Sequence, residues 1–188
     1  IINCLGITKH LQRSYSEDSI FNVNSYFPIN LSKICEEKKI NLIHISTDCV
    51  FDGKNGNYSE LDSPNAIDIY GYSKSLSEKI NNNHLVLRTS TVGKEINTKY
   101  GLLEWFLSLE ESCEGYKNAF FSGITTIELG KIILNNFLSK NNQKGLFNIG
   151  GYRINKYELL TYFSKYFKKK ITIVENYSFQ IDRSLNND

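Results

Sequence analysis

Asn41-Leu42-Ile43-His44-Ile45-Ser46-Thr47-Asp48 decides the fold: an apolar run of strand length that exits into Ser-Thr-Asp. A continuous apolar run of about four to eight residues bounded by turn formers is what a strand covered on both faces requires. Downstream, the Gly-, Asn- and Asp-rich stretch from Thr47 to Asp68 lacks helical periodicity and predicts a loop. Tyr70 to Ile80 then predicts a helix, and His84-Leu85-Val86-Leu87-Arg88-Thr89 a further strand. Upstream, Ile1-Ile2-Asn3-Cys4-Leu5 is a short apolar run ending at Gly6, read as a buried strand. Val23 to Glu37 carries Phe27, Leu31, Ile34 and Cys35 at three- and four-residue spacing, which predicts a helix. Strand, helix, strand, helix, strand at these spacings implies parallel pairing through right-handed crossovers, hence an α/β fold.

Beyond Ser90 the texture changes. Leu102 to Leu109, with Trp105 and Phe106, predicts a helix suited to covering a cleft, and Thr126 to Leu138 carries a clear amphipathic stripe. Gly145-Leu146-Phe147-Asn148-Ile149 reads as a strand ending at Gly150-Gly151. Tyr157 to Phe167 reads as a helix and Ile171 to Val174 as a strand. Lys168-Lys169-Lys170, at that helix's end, reads as a solvated face suited to the helix dipole. No internal repeat is present.

Composition narrows the class. The 188 residues are 40% hydrophobic and 22% charged, and 22 Lys+Arg against 20 Asp+Glu leaves a net charge of +2. This excludes a wholly disordered chain and argues against a nucleic-acid or anionic-membrane partner. No apolar run approaches the roughly 18 residues of a membrane span. The four cysteines (Cys4, Cys35, Cys49, Cys113) show no CxxC pairing. They are read as reduced core thiols of a cytoplasmic protein, with no metal site expected. The chain starts mid-strand and holds no methionine, as expected of a piece of a longer protein.

Tyr70-Gly71-Tyr72-Ser73-Lys74 places a phenol and an ammonium four residues apart, on one face of a helix. An ammonium beside a phenol is expected to lower a pKa that starts near about 10, so the tyrosine can exchange a proton with a carbonyl or carbinol oxygen. Tyr152 with Lys156 and Tyr166 with Lys170 match the same spacing, so context must choose among the three. Context favours Tyr70. It follows a strand that exits at Ser46-Thr47-Asp48, and ligands of open parallel sheets bind outside the carboxyl ends of the strands. A hydroxyl there, Thr47, can donate to the oxygen that the tyrosine protonates.

The ordered series Ile43-His44-Ile45-Ser46-Thr47-Asp48-Cys49-Val50-Phe51-Asp52-Gly53, Tyr58-Ser59-Glu60-Leu61-Asp62-Ser63-Pro64, Tyr70-Gly71-Tyr72-Ser73-Lys74 and Arg88-Thr89-Ser90 resembles the dTDP-4-dehydrorhamnose reductase branch of the extended short-chain dehydrogenases/reductases. Ile2 to Gly6 resembles that family's fourth strand, and Asn22-Val23-Asn24 with Pro28 the opening of the next helix. Phe121 to Thr126 and Ile181 to Leu185 resemble its substrate-lobe elements, so the likeness runs from residue 1 to about residue 185.

The resemblance implies a parallel Rossmann-like sheet, present as its C-terminal part, with a small α+β substrate lobe. Residues 1–90 would form half of an NAD(P)-binding domain. Residues 91–188 would form a mixed region with the lobe, 145–149 returning to the sheet. It implies NADP or NAD as cofactor and reduction of a 4-keto sugar nucleotide for cell-surface polysaccharide precursors. Tyr70 would donate the proton, Lys74 would orient the cofactor ribose, and Thr47 would polarise the carbonyl. Leu5, Gly6, Thr89 and Ser90 would lie along the cofactor. Asp48, Thr91 and Arg183 are candidates for the sugar or diphosphate, although a solvated tail arginine is an equal reading of Arg183.

The family's glycine-rich phosphate turn would precede residue 1, so this piece alone is expected to bind little NAD(P)H and to be inactive. The family's tyrosine after Ser-Thr-Asp and aromatic after Arg-Thr-Ser are here Cys49 and Thr91, which leaves the sugar open. A homodimer also stays open. The alternatives are a non-catalytic, nucleotide-binding regulatory relative and an epimerase or dehydratase on the same scaffold. Against the dehydratase, Asp48 is followed by Cys49 and not by a second acid.

Overall fold

The apolar run before Thr47 becomes an interior strand of a parallel sheet. The computed structural model describes residues 1–80, 82–96, 98–138 and 143–186. In chain order the first half holds β1 (Ile2–Asn3), α1 (Glu17–Phe21), α2 (Phe27–Glu37), β2 (Ile43–Ile45), α3 (Ile69–Ser77) and β3 (Leu85–Thr89). Then come β4 (Thr91–Val92), α4 (Leu102–Ser108), β5 (Ser112–Phe121), β6 (Ile124–Thr125) and α5 (Thr126–Ile132). The last elements are β7 (Gly145–Ile149), β8 (Ile154–Asn155), α6 (Lys156–Tyr166) and β9 (Thr172–Asp182).

The main sheet has the order β1-β2-β3-β7, all parallel, with Ile43 opposite Ile2 and Leu85, and Leu85 opposite Gly145. Alternation along each strand sends side chains to opposite faces. Ile43, Leu85 and Leu87 therefore pack on Leu129 of α5 and on Ile133, while Leu42 and Val86 pack on Cys35 of α2 and on Ile80. Both faces are covered, and this is why the strands read as unbroken apolar runs. A second sheet has the order β8-β5-β9, and β4 pairs with β6.

Two elements differ from expectation. The helical stretch starts at Glu17, not Val23, with Ser16 Oγ accepting from Ser19 N at 3.2 Å and Glu17 and Asp18 suited to the helix N-terminus. A π-helical turn over Asn22–Tyr26 follows, and its extra residue breaks the three-and-four spacing that would have extended the prediction upstream. Strand β5 was not expected at all. Its sequence has neither an apolar run nor strict alternation, only Gly115, Ala119 and Phe121 are buried, and a bulge interrupts its pairing with β9 between Tyr116 and Asn118. β9 in turn runs on to Asp182 instead of stopping at Val174.

The tail is tied back by Tyr58, which stacks on Phe51 with centroids 4.0 Å apart and pairs with Leu185. Of the cysteines only Cys35 is a buried core thiol. Cys4 is exposed, because β1 ends at Asn3 and leaves it at the strand exit, and Cys49 and Cys113 are partly buried. Among the described residues no helix is long and apolar enough to cross a membrane.

Candidate active site

Thr47 lies one residue beyond the end of β2, after Ser46, and caps a short turn over Asp48–Val50, its Oγ1 accepting from Cys49 N at 3.1 Å. Its hydroxyl donates to Asp48 Oδ1 at 3.2 Å and lines the same cleft as the Tyr70 phenol. At 3.2 Å an O–H···O contact is long, so turning this proton towards another oxygen costs little. α3 starts at the Asp68 cap, which accepts from Gly71 N at 3.0 Å. Gly71 is required here: a Cβ would collide with the Cys49 carbonyl oxygen and lie 2.6 Å from the Ala66 methyl. That close approach lays Tyr70 against the turn that carries Thr47.

Lys74 lies one helical turn further on, 4% exposed, and its Nζ donates to Ile45 O at 2.7 Å. Beneath it, His44 Nδ1 accepts from Asn3 Nδ2 at 3.1 Å, and Nε2 lies 2.9 Å from Ser77 Oγ. Ser77 Oγ donates to Lys74 O at 2.6 Å, so it accepts from His44 Nε2–H, which fixes a neutral imidazole. Burial first, and the Lys74 charge second, push the His44 pKa down to about 3. Burial draws Lys74 down to about 8 against the pull of Glu78 and Cys4.

The expected lowering of the Tyr70 pKa by Lys74 is overturned. Burial raises it, Cys49, Asp48 and Asp68 push the same way, and Thr47 pulls back. Lys74 directs its ammonium to the Ile45 carbonyl, so it does not stand as the phenol's counter-charge.

These groups open onto a cleft of about 610 Å³ at the carboxyl ends of the main-sheet strands. Leu5, Gly6, Thr47, Asp48, Tyr70, Lys74, Thr89, Ser90, Thr91 and Arg183 all line it. Tyr152 and Tyr166 do not; they are 97% and 81% exposed. Arg183 is no solvated tail residue: its side chain is 16% exposed and its Nε donates to Phe51 O at 2.9 Å.

Sequence reasoning did not single out His44, Asn24 or Lys156 for the site. Asn24 clamps the Leu5–Ile7 lip to α3, accepting from Ile7 N at 2.8 Å and donating to Ile7 O and Ser73 Oγ. Its signal was available as an amide inside a helix, and that of His44 as an imidazole inside an apolar strand. Lys156 lines the cleft although Tyr152, with which spacing paired it, does not.

The fit to a nicotinamide cofactor can be tested on the cleft itself. Thr89 Oγ1 is buried there without a hydrogen-bond partner, and the Lys74 ammonium has N–H directions beyond its bond to Ile45. A carboxamide and a ribose hydroxyl match these two groups, so the residues present fit the nicotinamide riboside end.

Residues 1–115 match the family described as the RmlD substrate binding domain. The chain belongs to this family. A protein of Haloferax volcanii named a probable low-salt glycan biosynthesis reductase is 37% identical over 97 residues, 49% of this chain and 32% of its own. A dTDP-4-keto-6-deoxy-D-glucose reductase of Streptomyces niveus is 32% identical over 80 residues, 42% of this chain and 28% of its own. Methionine adenosyltransferase 2 subunit beta of Danio rerio is 55% identical over 38 residues, 20% of this chain and 12% of its own. The chain thus spans about a third or less of the length of the curated relatives it matches. A hypothetical dTDP-4-dehydrorhamnose reductase of Sulfolobus tokodaii has a solved structure that superimposes with a TM-score of 0.86. It is 25% identical over 99% of this chain and 70% of that one.

Proposed function

We propose that this chain carries the catalytic groups of an NAD(P)H-dependent reductase of 4-keto sugar nucleotides in cell-surface polysaccharide precursor synthesis. The convergence of Thr47, Tyr70 and Lys74 in one cleft, in a chain whose relatives are named as reductases, carries the reading. NADP or NAD, when bound, supplies the hydride to the carbonyl carbon. Thr89, Ser90, the Leu5–Gly6 backbone and Lys74 hold its nicotinamide riboside end. Tyr70 gives its phenolic proton to the carbonyl oxygen, and the product is the secondary alcohol. Burial keeps that phenol protonated and ready to donate at neutral pH. Thr47 turns its weakly held proton towards the same oxygen, and Asp48, Thr91 and Arg183 face the sugar nucleotide. In this reading 1–90 is the cofactor half and 91–188 the substrate half, the free cysteines suit a reducing cytoplasm, and the exposed Tyr26, Phe27 and Ile34 offer a homodimer surface.

The test is NAD(P)H oxidation by the full-length protein with a 4-keto sugar nucleotide. Tyr70→Phe keeps the ring and removes the proton, so turnover should fall by about two to four orders of magnitude. Tyr152→Phe and Tyr166→Phe should stay within a few-fold of the parent. Parental turnover in Tyr70→Phe would sink the assignment. The 38-residue likeness to a methionine adenosyltransferase subunit favours a second reading, a non-catalytic regulatory relative. Nucleotide binding without turnover on any keto sugar nucleotide would put that reading first.

A further inference from the structure

Two cations of the cleft share one carboxylate that is not part of its lining. Lys9, just beyond the Leu5–Ile7 lip, and Arg183, on the tail after β9, both line the cleft, whereas Asp68 does not. Asp68 Oδ2 accepts from Lys9 Nζ at 2.9 Å and lies 3.7 Å from Arg183 Nη2. The other oxygen, Oδ1, accepts from Gly71 N at 3.0 Å and so starts the helix that carries Tyr70. Burial raises the Asp68 pKa, but the Gly71 N–H, Lys9 and Arg183 together outweigh it and hold the carboxyl below its usual value.

The Arg183 guanidinium is held from three sides. Nε donates to Phe51 O at 2.9 Å, Nη1 lies 3.7 Å from Cys49 Sγ, and Nη2 faces Asp68. These contacts leave N–H donors of the fork over, and a planar fork with spare donors matches a phosphate. Lys9 adds a second positive charge held by the same carboxylate. Its side chain is 41% exposed, and an ion pair so placed adds little to the fold. The pairing is better explained by where it holds the two cations than by what it contributes to stability.

We propose that Asp68 is a positioning residue: with one carboxylate it starts the helix of the proton donor and aims Lys9 and Arg183 into the cleft, where they take the diphosphate of a sugar nucleotide. Both oxygens belong to one side chain, so the anion site and the Tyr70 phenol are set in one frame. A sugar whose carbonyl lies at the matching reach from its diphosphate is then offered to Tyr70, and one with another reach is not. The choice of ligand rests on the sugar-nucleotide reading above; the hold of Asp68 on the two cations does not.

The experiment compares the full-length parent with Asp68→Asn and Asp68→Ser. Asn and Ser cap a helix about as well as Asp, so the thermal midpoint should barely move. The Asn amide turns a donor towards Lys9 and Arg183, and Ser offers no charge, so in both variants the cations lose their aim. Calorimetry with dTDP and with UDP should show Kd raised about ten- to a hundred-fold, the size of one lost hydrogen bond to a charged group. The Kd of NAD(P)H should stay within a few-fold, because Asn3 and Asn24 hold the lip independently. Nitrogen-15 NMR of the Arg183 guanidinium without ligand should show restricted rotation in the parent and free rotation in both variants. Unchanged or tighter binding of dTDP and UDP by the variants overturns the proposal. So does a fall in thermal midpoint that weakens nucleotide and cofactor alike, since Asp68 is then a helix cap only. A parent that binds neither dTDP nor UDP rejects the sugar-nucleotide reading; the guanidinium signals then judge the positioning alone, upheld if rotation is freed in the variants and overturned if it is not.

Discussion

Replacing Lys74 by Met separates what the site needs from what the fold needs. The ammonium is buried, donates to Ile45 O at 2.7 Å, and has as its next neighbour His44 Nε2, 3.5 Å away and carrying a proton of its own. Burial draws its pKa from 10.5 to about 8. At about 1.36 kcal/mol per pH unit, holding the proton in the native state costs about 3 kcal/mol. Between these two values the unfolded chain binds more protons than the native one, so stability rises with pH. The contribution is fully present above 10.5 and is lost as pH falls through about 8.

Met preserves most of the stem packing and does not titrate. The stability of the parent minus that of Lys74→Met should therefore climb by about 2–3 kcal/mol between pH 7 and pH 10. Other titrations, such as that of Tyr70, largely cancel in the difference. At pH 7 the variant should be no less stable than the parent, because relief of the charge outweighs a hydrogen bond worth about 1 kcal/mol net. Urea unfolding of both proteins at each pH measures this directly. A flat difference would refute the burial argument, whatever the kinetics. If Lys74 also acts as proposed, the same variant should lose about two to four orders of magnitude in turnover.

Gly71→Ala should destabilise by about 1–3 kcal/mol and depress turnover, because the added methyl forces the Asp48–Val50 turn away from α3. Gly130→Ala is the control: nothing lies within 4 Å of its Cβ position, so a gain of about 0.5–1 kcal/mol in urea unfolding is expected. Glu78→Gln leaves Arg88 buried without its bidentate partner, the two side chains being 5% and 3% exposed, and should cost about 3–5 kcal/mol. Adding Arg88→Met to it should recover part of that loss, and a double variant worse than the single would count against the pairing.

What the sequence made legible follows from how far each interaction reaches. Leu42 to Ile45 and Leu85 to Leu87 are covered on both faces, so their strands announce themselves residue by residue. β5 is half-covered and bulged, and no local pattern marks it. The Tyr70–Lys74 spacing correctly predicted a shared helix and cleft but gave the wrong direction for the phenol. Spacing carries the sign of a nearby charge, whereas burial, the larger effect, depends on elements far away in sequence. Lys156 is the sharper case. Its place in the cleft, 3.6 Å from the Phe121 ring centroid, follows from the pairing of β8 with β5, and nothing near residue 156 encodes it.

Buried polar groups in this chain fall into two kinds, and the division separates scaffold from site. His44 uses both ring nitrogens and Asn24 both ends of its amide, so each ties elements together at little net cost. Gln12, His84 and Asn148 each leave one buried atom without a partner, but none of the three lines the cleft. Thr89 leaves its hydroxyl unpaired there, Lys74 holds a proton that burial disfavours, and Asp48 and Lys156 both sit where burial disfavours their charged forms. A scaffold selected for stability alone would place apolar side chains at these positions. A bound ligand that accepts from Lys74 and pairs with Thr89 removes much of that cost, so ligand binding and native-state stability are coupled through the same side chains.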